Sequence, residues 1–168
     1  FLNCGIRRSE LVNLNLSDVY EDRIRVIGKG NKERFVYFGS ACRKAIDAYL
    51  PERNQKVLTD NRALFGSRDN NRISVTAVHR LVKKALLQAG LDSTQYSAHK
   101  LRHTAATMML SGGVDVKTVQ EVLGHENLNT TQIYTHIEST ELKIAAEANP
   151  LSKLDFSDKM EDNNGSNQ

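Results

Sequence analysis

Cysteine is nearly absent from this 168-residue chain: Cys4 and Cys42 are its only two. Neither has the spacing of a zinc or thiol-redox motif, so a reduced, cytoplasmic setting is expected. Long apolar runs are missing as well. None approaches the roughly 18 residues needed to span a bilayer, and no charged-then-apolar leader opens the chain. No membrane partner is therefore expected. Proline occurs twice, at Pro51 and Pro150, and each is expected to stop a helix. Gly28-Lys29-Gly30 lacks the Gly-x-x-x-x-Gly-Lys-Ser/Thr spacing of a nucleotide-binding phosphate loop. No internal repeat is visible.

What is present is ordinary in bulk and uneven in detail. With 39% hydrophobic and 26% charged residues, the chain has the composition and length of one globular domain with a real core. The net charge is +3, but the end beyond Leu151 sets Lys153 and Lys159 against Asp155, Asp158, Glu161 and Asp162. The body is therefore more basic than the whole. A basic body suits a polyanion through phosphate neutralisation; a solvated basic surface accounts for the charge equally well.

Ser9 to Leu16 reads as a short helix. Arg23-Ile24-Arg25-Val26-Ile27 and Arg34-Phe35-Val36-Tyr37-Phe38 alternate with period two around turn residues, which predicts a hairpin with Lys29 and Lys32 near its tip. After Gly39 the pattern is helical. Ser40 caps a helix to about Leu50, and Ser74 or Thr76 opens another that Gly90 closes. Further helices are expected over Ala98–Ser111, from Asp115 to Gly124, from Asn129 through Tyr134, and over about Ser139–Ala148. Beyond Ser152 the Asp, Asn, Ser and Gly content predicts disorder.

Several polar groups sit where chemistry is possible. His99 and Arg102 are spaced i, i+3 on one helical face, so imidazole and guanidinium can meet one small anion, or simply be solvated at a helix end. His99 and His103 have the i, i+4 spacing of zinc ligands, but the accompanying Glu and a third ligand are missing. Arg7 and Glu10 form a second i, i+3 pair: either a phosphate-binding guanidinium oriented by a carboxylate, or a surface ion pair worth under about 1 kcal/mol. Gly124-His125 reads as a helix stop and an exposed histidine, and Tyr134 as a core aromatic or a nucleophile.

Taken in order, five segments resemble one family. They are Gly5-Ile6-Arg7-Arg8-Ser9-Glu10, Gly28-Lys29-Gly30-Asn31-Lys32-Glu33-Arg34, His99-Lys100-Leu101-Arg102-His103-Thr104, Leu123-Gly124-His125 and Thr131-Gln132-Ile133-Tyr134-Thr135-His136. The chain resembles the tyrosine recombinases, or phage-type integrases, in their Xer-like branch. The resemblance implies an α+β, mainly helical fold: a helical catalytic domain over residues 1–150 with a small antiparallel three-stranded sheet near the N-terminus. Residues 151–168 would be a disordered tail. A DNA-clamping N-terminal domain, usual in the family, is expected to precede Phe1.

The implied activity is site-specific recombination through a 3′-phosphotyrosyl protein–DNA intermediate, with no cofactor and no metal. By the same resemblance Tyr134 is the nucleophile, Arg7 and Arg102 clamp the phosphate, and Lys29 is the general acid. His99 is the base or a proton-sharing residue, His125 a hydrogen-bond donor to the phosphate, and Glu10 a supporting carboxylate. The implied partners are double-stranded DNA and further copies of the protein in a tetrameric synapse. Two other readings stand beside it. A non-catalytic DNA-binding module would use 115–135 as a helix-turn-helix, and a type IB topoisomerase would cut strands without exchanging partners.

Overall fold

The computed structural model describes residues 1–124 and 139–153. The chain enters through helix α1 (Arg8–Asn13) and a 3-10 turn at Leu16–Asp18, then forms an antiparallel hairpin of β1 (Arg23–Ile27) and β2 (Glu33–Tyr37). The register pairs Ile24 with Val36 and Val26 with Arg34. Ile24, Val26 and Val36 are buried, so this face of the hairpin meets the core and Arg34 projects from the same side. A second 3-10 turn, Lys29–Asn31, makes the tip, closed by Gly28 N–H donating to the Lys32 carbonyl at 2.8 Å.

The expected third strand is not found among the described residues. Val19 forms one bridge to Ile24, and the residues before it are held in the 3-10 turn instead. The Asp18 carboxylate accepts from the Asn15 backbone at 2.8 Å and from Arg25 at 2.7 and 2.9 Å. Such local side-chain bonding competes with a strand ladder.

Helix α2 spans Ser40–Gln55 and runs through Pro51, which was expected to stop it. Proline removes one helical hydrogen bond, but the last turn is anchored from outside. Buried Arg53 donates to the carbonyls of Ala63 (2.8 Å), Asn61 (2.9 Å) and Lys56 (3.2 Å). Residues 56–74 are also not helical; they form turns and isolated bridges, Asn15 to Ala63 and Gly66 to Arg72.

The remaining helices follow their sequence signals. Helix α3 (Val75–Gln88) starts where Ser74 Oγ accepts from Ala77 N at 3.1 Å, and α4 covers Ala98–Ser111 after Ser97. Helix α5 (Val116–Leu123) is capped by Asp115, which accepts from Thr118 N at 3.0 Å, and ends at Gly124 in the left-handed region. Helix α6 (Ser139–Ala148) packs in the same chain against α4, α5 and β2, with Lys143 Nζ 2.7 Å from Asp22. Asn149, wholly buried, donates to the Leu2 carbonyl at 2.8 Å and ties this end to the beginning of the chain.

One apolar cluster joins the hairpin, α4, α5 and α6 through Val26, Val36, Met109, Val119, Leu123 and Ala145. A second, centred on Val78, Val82, Leu86 and Ala98, seats α3 beside α1 and α4. No described helix is long and apolar enough to cross a membrane. The expected helix bearing Tyr134 and the expected disorder of the tail past Lys153 lie outside the described residues.

Candidate active site

Arg7 sits immediately before α1 in an extended conformation, and Glu10 occupies the third helical position. From there Glu10 reaches back to accept the Arg7 backbone N–H at 2.7 Å, the reciprocal half of a capping box. The same carboxylate accepts Arg7 Nη1 at 2.8 Å and both terminal nitrogens of Arg34, at 2.9 and 3.0 Å. Arg102 Nη1 stands 4.0 Å from it. Only 3% of the Glu10 side chain is exposed, so three guanidinium groups converge on one buried carboxylate.

Burial alone pushes the Glu10 carboxyl up. The bonds from Arg34 and the Arg7 backbone, with the Arg34 charge and the Arg7 side-chain bond, outweigh it and hold the group below its ordinary value. Arg102 is pulled down to about 10, first by burial and then by the Arg7 and Arg34 charges, against the opposing pull of Glu10. It is still cationic at neutral pH.

The arginines also hold the end of α5. Arg34 Nε donates to the Val122 carbonyl (3.2 Å), Arg102 Nη2 to Leu123 (2.6 Å) and Arg7 Nη2 to Gly124 (2.8 Å). These are carbonyls that a helix C-terminus leaves unpaired, at the negative end of its dipole. Glycine is required where the packing is closest. Gly124 has φ +64°, and a Cβ there would lie 2.9 Å from the Arg34 guanidinium carbon. At Gly5, φ +58°, a Cβ would meet Leu123 at 2.6 Å, while the Gly5 carbonyl accepts Arg102 Nη1 at 2.5 Å.

His99 is exposed near the start of α4, one turn before Arg102. Together with Arg7, Arg8, Ile6, Val75 and Arg102 it lines an open cavity of about 250 Å³. The i, i+3 pair thus faces one space, shared with Arg7. His103 and Lys32 are exposed, and Lys100 stacks its ammonium 5.7 Å from the Tyr96 ring. No group of three or more His, Cys, Asp or Glu with metal-holding geometry occurs among the described residues.

Of the residues singled out in the sequence, Arg7, Glu10, His99 and Arg102 are therefore neighbours. The backbone of Lys29 lies in the hairpin-tip turn. His125 and Tyr134 lie outside the described residues. Arg34 was part of a matching segment but had no assigned role; its signal is an arginine at an inward position of an alternating strand, two residues before buried Val36.

Comparison with known proteins places the chain in a family. The Phage integrase family matches residues 1–141. Tyrosine recombinase XerC of Caldanaerobacter subterraneus subsp. tengcongensis is 55% identical over 154 residues, covering 91% of this chain and 44% of that protein. Its counterpart from Corynebacterium glutamicum is 46% identical over 140 residues, covering 82% and 44%. The chain thus spans less than half the length of these two relatives. Among solved structures, XerA recombinase superimposes with a TM-score of 0.70 at 38% identity, over 84% of this chain and 53% of that one. XerH site-specific recombinase bound to its difH substrate, in a pre-cleavage complex, gives 0.65 at 30%, over 87% and 43%. With its five motif segments in order, its mainly helical fold and its arginine cluster, the chain belongs to the phage integrase family of tyrosine recombinases.

Proposed function

We propose that residues 1–150 are the catalytic domain of a site-specific tyrosine recombinase that cuts and rejoins double-stranded DNA through a 3′-phosphotyrosyl intermediate. The observation that carries the reading is the charge of the Glu10 cluster: three guanidinium groups against one carboxylate, opening onto a cavity lined by His99. A phosphodiester bears one negative charge, and its pentavalent transition state spreads two over the oxygens around phosphorus. A fixed cationic excess stabilises the second more than the first, as differential binding requires.

In the proposed step the Tyr134 hydroxyl oxygen bonds to phosphorus and the P–O5′ bond breaks. Arg7 and Arg102 hold the non-bridging oxygens, His125 donates to one of them, His99 takes the tyrosine proton and Lys29 protonates the leaving 5′-oxygen. A 5′-hydroxyl from the partner duplex then reverses the sequence, releasing the tyrosine. Acid–base help is needed. With a pKa of about 10, ionising a free tyrosine at pH 7 costs roughly 4 kcal/mol, and a positioned acid is typically worth about 10²–10⁴ in rate. The relatives captured on DNA, XerH among them, support double-stranded DNA as the partner. Assembly of four copies in a synapse, with an N-terminal clamp in the longer protein, belongs to the same reading.

The test is a nicked suicide duplex, selected from a randomised pool for adduct formation and resolved on a denaturing gel. A covalent protein–DNA band is expected from the wild type and none from Tyr134→Phe. An undiminished band in that variant would remove Tyr134 from its role. Binding without any adduct from the wild type would instead favour a non-catalytic DNA-binding module.

A further inference from the structure

Arg34 lies on the core face of β2, where alternation calls for an apolar side chain, and its side chain is 17% exposed. It makes no bond that β2 needs for its own pairing. Its guanidinium instead forks onto both oxygens of Glu10, at 2.9 and 3.0 Å, while Nε holds the Val122 carbonyl at 3.2 Å. The approach is tight enough that a side chain at Gly124 would collide with it. A charged group packed this closely at the centre of the cluster has a purpose beyond filling space.

The carboxylate geometry indicates what it is. Oε1 is shared between Arg7 Nη1 and Arg34 Nη1, and Oε2 between the Arg7 backbone N–H and Arg34 Nη2. Glu10 can thus orient Arg7 while half of its hydrogen-bonding capacity, and much of its charge, is taken by Arg34. Arg102 waits at 4.0 Å from Oε2, a separation that a small rotation of an unoccupied carboxylate would close. Without Arg34 the carboxylate is free to form a full ion pair with Arg102 or a forked one with Arg7, and either lowers the positive charge offered to a phosphate.

We propose that Arg34 is a positioning residue that occupies Glu10, so that the carboxylate orients the Arg7 and Arg102 clamp without neutralising it. Arg34 acts through Glu10 and does not touch the DNA. The inference rests on the strand-cleavage reading above, and its prediction has a definite sign. Removing Arg34 harms the clamp because Glu10 remains, so removing the Glu10 charge as well restores part of what was lost.

The experiment is single-turnover cleavage of the suicide duplex by the wild type, Arg34→Gln, Glu10→Gln and the double variant. Each is assayed on a normal scissile phosphate and on a methylphosphonate, whose uncharged phosphorus centre needs no full cationic clamp. On phosphate, Arg34→Gln is expected to be about 10²-fold slower than wild type, the usual cost of spoiling a preorganised electrostatic site. On methylphosphonate its deficit relative to wild type should fall to less than about a tenth of that factor. The double variant should cleave phosphate DNA faster than Arg34→Gln alone.

Equal deficits on the two substrates would assign Arg34 a purely structural role and overturn the inference, as would a double variant slower than Arg34→Gln. Circular dichroism checks folding. Should Arg34→Gln not fold, Arg34→Lys, which keeps the charge but not the fork, undergoes the same two-substrate comparison with the same criterion. Absence of adduct from the wild type, by contrast, would remove the strand-cleavage reading itself.

Discussion

Replacing Glu10 by Gln tests the cluster as a folding element, independently of any reaction. The substitution keeps the shape and one acceptor oxygen, and Gln still suits the capping box with Arg7. What goes is the charge that three guanidinium groups face, from a side chain only 3% exposed. Arg7, 38% exposed, can turn toward water, whereas Arg34 and Arg102, at 17% and 7%, are left short of a counter-charge in a low-dielectric setting. Breaking a buried ion pair from one side costs about 3–5 kcal/mol. In a domain of this size that lowers the melting temperature by roughly 10 °C, at about 2–4 °C per kcal/mol.

The loss also depends on pH in a definite direction. The folded Glu10 carboxyl lies below its ordinary 4.5, so the unfolded chain takes up this proton first as the medium is acidified. The stabilisation is complete above about pH 4.5 and disappears as pH falls through the lower, folded value. Urea titrations of both proteins by circular dichroism at pH 7, 5 and 3 measure this. Other carboxylates, such as Asp60, held down at about 2 by Arg72 and Arg62, weaken both proteins alike in acid, so the difference between them isolates Glu10. A gap below 1 kcal/mol at pH 7, or one that does not narrow by pH 3, would refute the account of Glu10 as a buried, ionised hub.

Two other substitutions probe the end of α5 and its start. Gly124→Ala places a Cβ 2.9 Å from the Arg34 guanidinium in a left-handed backbone, so a loss of more than about 1–2 kcal/mol, the left-handed penalty alone, is expected in thermal unfolding. Its cleavage rate should fall further than that of a variant of equal stability altered elsewhere. Asp115→Ala removes the cap on Thr118 N and should cost about 1 kcal/mol in urea unfolding, with the rate per folded molecule unchanged.

Elements whose limits are written in local chemistry were legible from the residues alone. Helix α4 covers the expected Ala98–Ser111, Asp115 and Gly124 bracket α5, and the period-two segments pair in the expected hairpin. Where a distant group sets the outcome, local signals misled. Pro51 does not stop α2 because Arg53 is bonded to carbonyls of the following loop. The third strand is absent among the described residues because Asp18 binds its own turn and Arg25.

By itself the sequence determined the family, through five ordered segments, and with it the candidate residues Arg7, Glu10, Lys29, His99, Arg102, His125 and Tyr134. The i, i+3 spacing also put His99 beside Arg102 and Arg7 beside Glu10, since helical periodicity is a local property. Only the tertiary structure decided that Arg7 and Arg102 both face the Glu10 carboxylate and line one cavity with His99, across the 97 residues that separate Gly5 from Arg102. It alone brought Arg34 into the cluster, because an inward arginine finds its counter-charge only when hairpin, α1 and α5 close on one another. Burying Glu10 is favourable just when all of its partners arrive together, and that condition belongs to the fold rather than to any one segment of it.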